Sequence, residues 1–118
     1  QRVQLARAVA QVWRRVDSNC RLLLLDEPSS ALDLSHQRMV LNLVRRLAQS
    51  GVAVIISTHD FNLVAAGADQ VLVLRQGAQH SCGTPAEVLR PEMFSHVFDV
   101  DVLLQTHPEN GSPLVIQR

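Results

Sequence analysis

Two adjacent carboxylates, Asp26 and Glu27, follow four consecutive leucines, and Pro28 comes directly after them. Leu22 to Leu25, set between turn-like residues, reads as a short strand buried on both faces, the kind found inside a parallel sheet. The carboxyl end of such a strand is the edge of an open α/β sheet where ligands bind, and Pro28 cannot extend the ladder beyond it. An acid placed there can hold magnesium, a hard ion that keeps most of its waters and accepts one or two carboxylates with phosphate oxygens. Asp26 suits that role. Alternation along the strand turns Glu27 elsewhere, toward a position from which it could take a proton from a water attacking a terminal phosphate in line. The pair could equally do no more than solvate a strand end.

A second candidate, His59, follows the apolar, β-branched run Val52 to Ser57. Between the two runs, Asp33 or Ser35 can cap a helix reaching to about Gln49, with Met39, Val40, Leu43, Val44 and Leu47 inward and Gly51 ending it. Strand, helix and strand then form a right-handed crossover with both strand ends at one edge, which puts His59 beside Asp26 and Glu27. A histidine after a strand can also be structural, and Asp33 can be a helix cap alone.

The remaining elements frame this edge. Gln1 to about Val16 has apolar residues at helical spacing with Arg2, Arg7, Arg14 and Arg15 between them, and Asp17-Ser18-Asn19 breaks the pattern. Asp60 caps a short helix from Asn62 to Ala66 ended by Gly67, and Gln70 to Arg75 is a third strand. Gln76-Gly77 turns into a short antiparallel edge, Ala78 to Ser81. Thr84, Pro85 and Glu87 begin another helix as cap, first helical residue and third position. Helical pattern resumes from Pro91 to Phe98, and the tail from Asp101 reads as a loose hairpin. The order β-α-β-α-β followed by small helices predicts an α/β sheet with a ligand at its carboxyl edge.

Composition narrows the function. With 118 residues the chain is one domain or a piece of one, and its formal net charge of zero gives no long-range field for nucleic acid or anionic membrane. All 11 basic residues are Arg, so the phosphate-binding G-x-x-x-x-G-K-[ST] loop, which needs a Lys, is not in these residues. Cys20 and Cys82 fit no zinc or redox spacing, which points to free thiols in a reducing compartment; His80 beside Cys82 lacks the second pair a metal site needs. No apolar run approaches the roughly 20 residues that span a bilayer, so a membrane link would go through a partner.

The run Leu23-Leu24-Leu25-Asp26-Glu27-Pro28-Ser29-Ser30-Ala31-Leu32-Asp33 closely resembles the Walker B motif and following D-loop of ATP-binding cassette (ABC) ATPases, which usually carry Thr where Ser29 stands. Ile55-Ile56-Ser57-Thr58-His59-Asp60 resembles the same family's switch-histidine segment at the family's spacing, and Gln1 to Ala10 is similar to the helix that follows its Leu-Ser-Gly-Gly signature. The resemblance implies that residues 1–118 are the C-terminal part of a single ABC ATPase domain, a P-loop nucleoside triphosphatase fold with a mostly parallel sheet flanked by helices, whose P-loop and signature lie upstream. It further implies ATP and Mg2+ as cofactors, Asp26 as metal ligand, Glu27 as general base and His59 as sensor of the terminal phosphate. Ser30 and Asp33 would face nucleotide, in a loop that reaches across a head-to-tail dimer.

The partners implied are a second copy of the ATPase, integral membrane permease subunits and, indirectly, a periplasmic or surface binding protein, with no nucleic acid; the place implied is the cytoplasmic face of the inner membrane. Cys82 to Leu89, Val97 to Asp101, Leu5 to Trp13 and His107-Pro108-Glu109 resemble importers of haem (hemin) most, with ferric siderophore and cobalamin importers as alternatives. His96 and His107 are not read as haem ligands, since cargo in this family passes through the membrane subunits. Two rival classes are soluble ABC ATPases acting on DNA or ribosomes, which usually carry long insertions or a second cassette, and an inert fragment.

Overall fold

The computed structural model describes residues 2–13, 21–28 and 33–118. They gather into two compact units, Gln1–His59 and Asp60–Arg118.

The first unit contains α1 (Arg2–Trp13), β1 (Arg21–Asp26), α2 (Leu34–Gln49) and β2 (Val52–Ser57). The two strands pair in parallel without a slip, from Arg21 opposite Val52 to Asp26 opposite Ser57. Parallel pairing needs a long crossover, and α2 supplies it. Its N-cap is Asp33, whose carboxylate accepts the His36 backbone N–H at 3.0 Å, while Ser35 donates its hydroxyl to the same oxygen at 2.8 Å. At the other end Gly51 takes a φ of +95°, a conformation a side chain would strain, and Arg21 Nη2 donates to the Ser50 carbonyl at 2.7 Å. Val9 of α1, Leu47 of α2, Leu23 and Val52 form the buried core, flanked by Ala8, Leu25, Leu43 and Val54.

That core corrects one expectation. Among the described residues the leucine strand is covered on one face only: Leu23 is 4% exposed, whereas Leu22 and Leu24 are 53% and 64% exposed, and Ile55 opposite Leu24 is 59% exposed. Both helices contribute to the cluster that holds Leu23 and Val52, so the alternate residues of the ladder face outward. Met39, expected inward on α2, is 52% exposed. The helical extension to Val16 and the Asp17-Ser18-Asn19 break lie outside the described residues.

The second unit contains α3 (Phe61–Gly67), β3 (Val71–Arg75), β4 (Ala78–Gly83), α4 (Pro85–Val88), α5 (Pro91–Phe98), β5 (Val102–Thr106) and β6 (Pro113–Gln117). Gln76 and Gly77 both have positive φ, 51° and 77°, the geometry of a two-residue turn whose twist suits a hairpin. β3 therefore pairs antiparallel with β4, and among the described residues it is not a third strand of the parallel ladder. The tail forms the expected hairpin, β5 against β6, with Leu104 opposite Val115. Among the described residues, parallel pairing is thus confined to β1 and β2. Thr84 and Glu87 complete the capping box reciprocally, at 2.9 Å and 3.4 Å. Leu89 and Phe94 are each 1% exposed at the centre of this unit's core, with Ala65, Val73, Val88, Met93, Val102 and Val115 around them. Phe61 meets Phe94 edge to face at 4.8 Å. Among the described residues no helix is long and apolar enough to cross a membrane.

Candidate functional site

The equal length of β1 and β2 decides the site. Six residues pair with six, so the last rung joins Asp26 to Ser57, and whatever follows each strand emerges at the same edge. Ser57 donates its hydroxyl to Asp26 Oδ1 across that rung. The ladder then makes one more bond, from the Glu27 N–H to the Ser57 carbonyl at 2.8 Å, before Pro28 ends it. Ser57 was not among the residues expected at the site, although counting outward from the two apolar runs pairs it with Asp26.

Glu27 itself departs from strand geometry. Its φ is +47°, in the left-handed region that costs a residue with a side chain of order 1 kcal/mol. This turn of the backbone, and not alternation along the strand alone, separates its carboxylate from that of Asp26. His59 Nδ1 lies 2.9 Å from Glu27 Oε1, and the two side chains are 81% and 36% exposed. A pair this open to water contributes little to stability, so the contact matters for where it holds the two groups.

Asp33 caps the N-terminus of α2. Hydrogen bonds from the Ser35 hydroxyl, the His36 backbone N–H and the His36 ring lower its carboxyl from 3.8 to about 2. Asp26, Glu27 and His59 are therefore gathered at one strand edge, Asp33 caps α2, and Ser30 lies outside the described residues.

The donor set at Asp26 suits a hard cation. Its exposed carboxylate sits beside a hydroxyl, both oxygen donors, and among the described residues no group of three or more His, Cys, Asp or Glu converges to cage a metal. An ion held there would take its other ligands from water and phosphate, which is how magnesium is bound where nucleotides are its co-ligands.

Residues 3–65 match the family described as "AAA domain, putative AbiEii toxin, Type IV TA system". The whole chain is 51% identical to the hemin import ATP-binding protein HmuV of Pseudomonas fluorescens and 48% identical to that of Pseudomonas aeruginosa, covering 46% of each relative. It spans about half the length of the curated relatives it matches. A solved chain described as "an inward-facing conformation of a putative metal-chelate type ABC transporter" superposes with a TM-score of 0.79 and 32% identity, over 97% of this chain and 44% of that one. With its acids and histidine at the end of a parallel ladder and residues 3–65 matching that family model, the chain belongs to the AAA-domain family, and its fold is that of the ABC ATPases.

Proposed function

We propose that this chain is the C-terminal part of a single ABC ATPase domain, in a subunit that couples ATP hydrolysis to hemin uptake across a membrane. The 2.9 Å approach of His59 to Glu27, at the edge where Asp26 meets Ser57, carries this reading. Glu27 accepts the proton as a water oxygen bonds to the terminal phosphorus, and the bond to the departing ADP breaks in line. His59 shares its ring nitrogen with Glu27 and meets the terminal phosphate when nucleotide is present. Asp26, oriented by Ser57, is the ligand for Mg2+, which when bound neutralises charge on the phosphates. Ser30 and Asp33 belong to the loop turned toward nucleotide across a head-to-tail dimer.

The phosphate-binding loop belongs to the part of the protein outside these residues, consistent with the share of the relatives that they span. Permease subunits would receive the work of hydrolysis at the cytoplasmic face of the inner membrane, with a binding protein delivering cargo from the other side. Hemin is favoured as cargo by the names of relatives near half-identical to this chain. Ferric siderophore or cobalamin is the second reading, favoured by the metal-chelate type of the structural neighbour.

The test uses the full-length protein reconstituted with its permease in vesicles. ATP-driven accumulation of hemin, absent in Glu27→Gln, is expected. Uptake of a ferric siderophore or cobalamin in its place would move the cargo assignment, and ATP hydrolysis unaffected by Glu27→Gln would remove Glu27 from the chemistry.

A further inference from the structure

The chain is neutral as a whole, yet its charge is divided between the two units. Residues 1–59 carry eight Arg against four Asp and Glu, and residues 60–118 carry three against seven, so the first unit holds +4 and the second −4. A split of this kind points to a charged partner for one of the halves. In the first unit α2 concentrates the positive charge: from Leu34 to Gln49 it has Arg38, Arg45 and Arg46 and no acid at all.

At about 100° per residue, Leu34, Arg45, Arg38, Arg46 and Met39 fall within one arc of about 140°, opposite the buried Val40 and Leu47. All three arginines are exposed, and the helical rise keeps them within about 12 Å of one another along the axis. The borders of the arc are apolar and open to water: Leu34 is 84% exposed and Met39 52%. A helix face that serves only to meet solvent mixes both signs and pairs them three or four residues apart. Here, among the described residues, neither Arg38 nor Arg46 has an ion-pair partner. Arg46 suits the C-terminal end of the helix dipole, whereas Arg38, in the second turn, gains nothing from it.

We propose that this face of α2 rests on an anionic phospholipid surface, with the arginines on the headgroup phosphates and Leu34 and Met39 in the apolar layer beneath. Guanidinium groups bind phosphate oxygens two at a time. Each one near an anionic leaflet adds to the attraction, and acids elsewhere in the chain do not cancel it beyond a Debye length of about 8 Å. The apolar borders distinguish a lipid surface from nucleic acid, whose phosphate backbone offers nothing to Leu34 or Met39. The contact is independent of cargo and of the residues that act on nucleotide. It gives the subunit a hold on the membrane that does not pass through another protein.

Co-sedimentation of the full-length protein, without permease, tests this on vesicles of phosphatidylglycerol mixed with phosphatidylcholine and on vesicles of phosphatidylcholine alone. Binding is expected to the first only, and it weakens as salt rises. Arg38→Gln, Arg45→Gln and Arg46→Gln together lower the affinity about a hundredfold, roughly fivefold for each, with ATP hydrolysis in solution unchanged. Arg38→Gln alone gives its fivefold loss at an unchanged melting temperature, which separates lost binding from lost folding. Leu34→Ser with Met39→Ser lowers the affinity about tenfold and leaves the salt dependence as it was. No binding to the anionic vesicles, equal binding to both kinds, or full binding retained by the triple arginine variant or by the Leu34 and Met39 variant overturns the proposal. So does a preference for duplex DNA over anionic vesicles with the same dependence on the arginines, which would make nucleic acid the occupant. None of these outcomes touches Asp26, Glu27 and His59, whose roles are read separately from hydrolysis in solution.

Discussion

Ser57 and Asp26 are register partners on the last rung of the parallel ladder, and the serine hydroxyl donates to the aspartate carboxylate across it. The carboxylate is exposed yet oriented, because its neighbour is fixed by the backbone pairing of the strand and not by a flexible side chain. The carboxylate and the residue that aims it are thus both set by sheet register.

In the full-length protein, Asp26→Asn should raise the magnesium concentration needed for half-maximal hydrolysis and lower kcat as well, since the charge that attracts the ion is gone. Ser57→Ala should produce the same shift in weaker form, roughly tenfold at the low end of what orienting partners of metal ligands contribute. Magnesium titrations of the hydrolysis rate check both. An unchanged titration in Asp26→Asn would place the ion elsewhere.

His59→Ala should separate activity from stability. The side chain is 81% exposed, and open ion pairs are worth about 0–1 kcal/mol, so the melting temperature should barely move while hydrolysis per folded molecule falls by orders of magnitude. A large drop in melting temperature with activity per folded molecule retained would make the histidine structural.

The gathering of Asp26, Glu27 and His59 was legible in the sequence because two short apolar runs, Leu22 to Leu25 and Val52 to Ile56, each bounded by polar residues, leave little choice of register. The caps at Asp60 and Thr84 were legible for the same local reason: their partners lie three residues away. The open face of the leucine strand was not, because four leucines in a row carry no periodicity to distinguish a covered face from an exposed one. The antiparallel edge that follows β3 was legible from the Gln76-Gly77 turn, whereas the apolar run of β3 itself does not tell whether it also joins the parallel ladder. The two hydrogen bonds between the Asn62 amide and the Val115 backbone join residues 53 positions apart, beyond the reach of any local pattern.

Asp33 offers a pH test. Its folded-state carboxyl is lowered to about 2 by the Ser35 hydroxyl first, then by the His36 backbone and ring. A lowered value means that the folded state favours the charged form, so the stabilisation is complete above the unfolded value near 4 and is lost as pH falls from there through about 2. Carboxyl chemical shifts followed by NMR should place the Asp33 midpoint near 2, and Asp33→Ala should fray the first turn of α2 at neutral pH. A midpoint near 4 would show that the cap does not hold the carboxylate.

The outward face of the ladder, where Leu22, Leu24 and Ile55 are 53%, 64% and 59% exposed, bears on how residues 1–118 behave when expressed as they stand. Contiguous exposed apolar side chains on a sheet favour association, and among the described residues the ladder has two strands, each with an outer edge. These residues should therefore self-associate in sedimentation velocity, with the extent rising with concentration. Leu24→Glu puts a charge at the centre of the face, opposite Ile55, and should shift the distribution toward monomer. Because Leu24 is already largely in water, the substitution should change unfolding free energy by no more than about 0.5 kcal/mol, the range of ordinary surface changes. If Leu24→Glu left association unchanged, the contact would lie on another surface; if it unfolded the chain, the leucine would be buried in solution and the exposed face would not exist there.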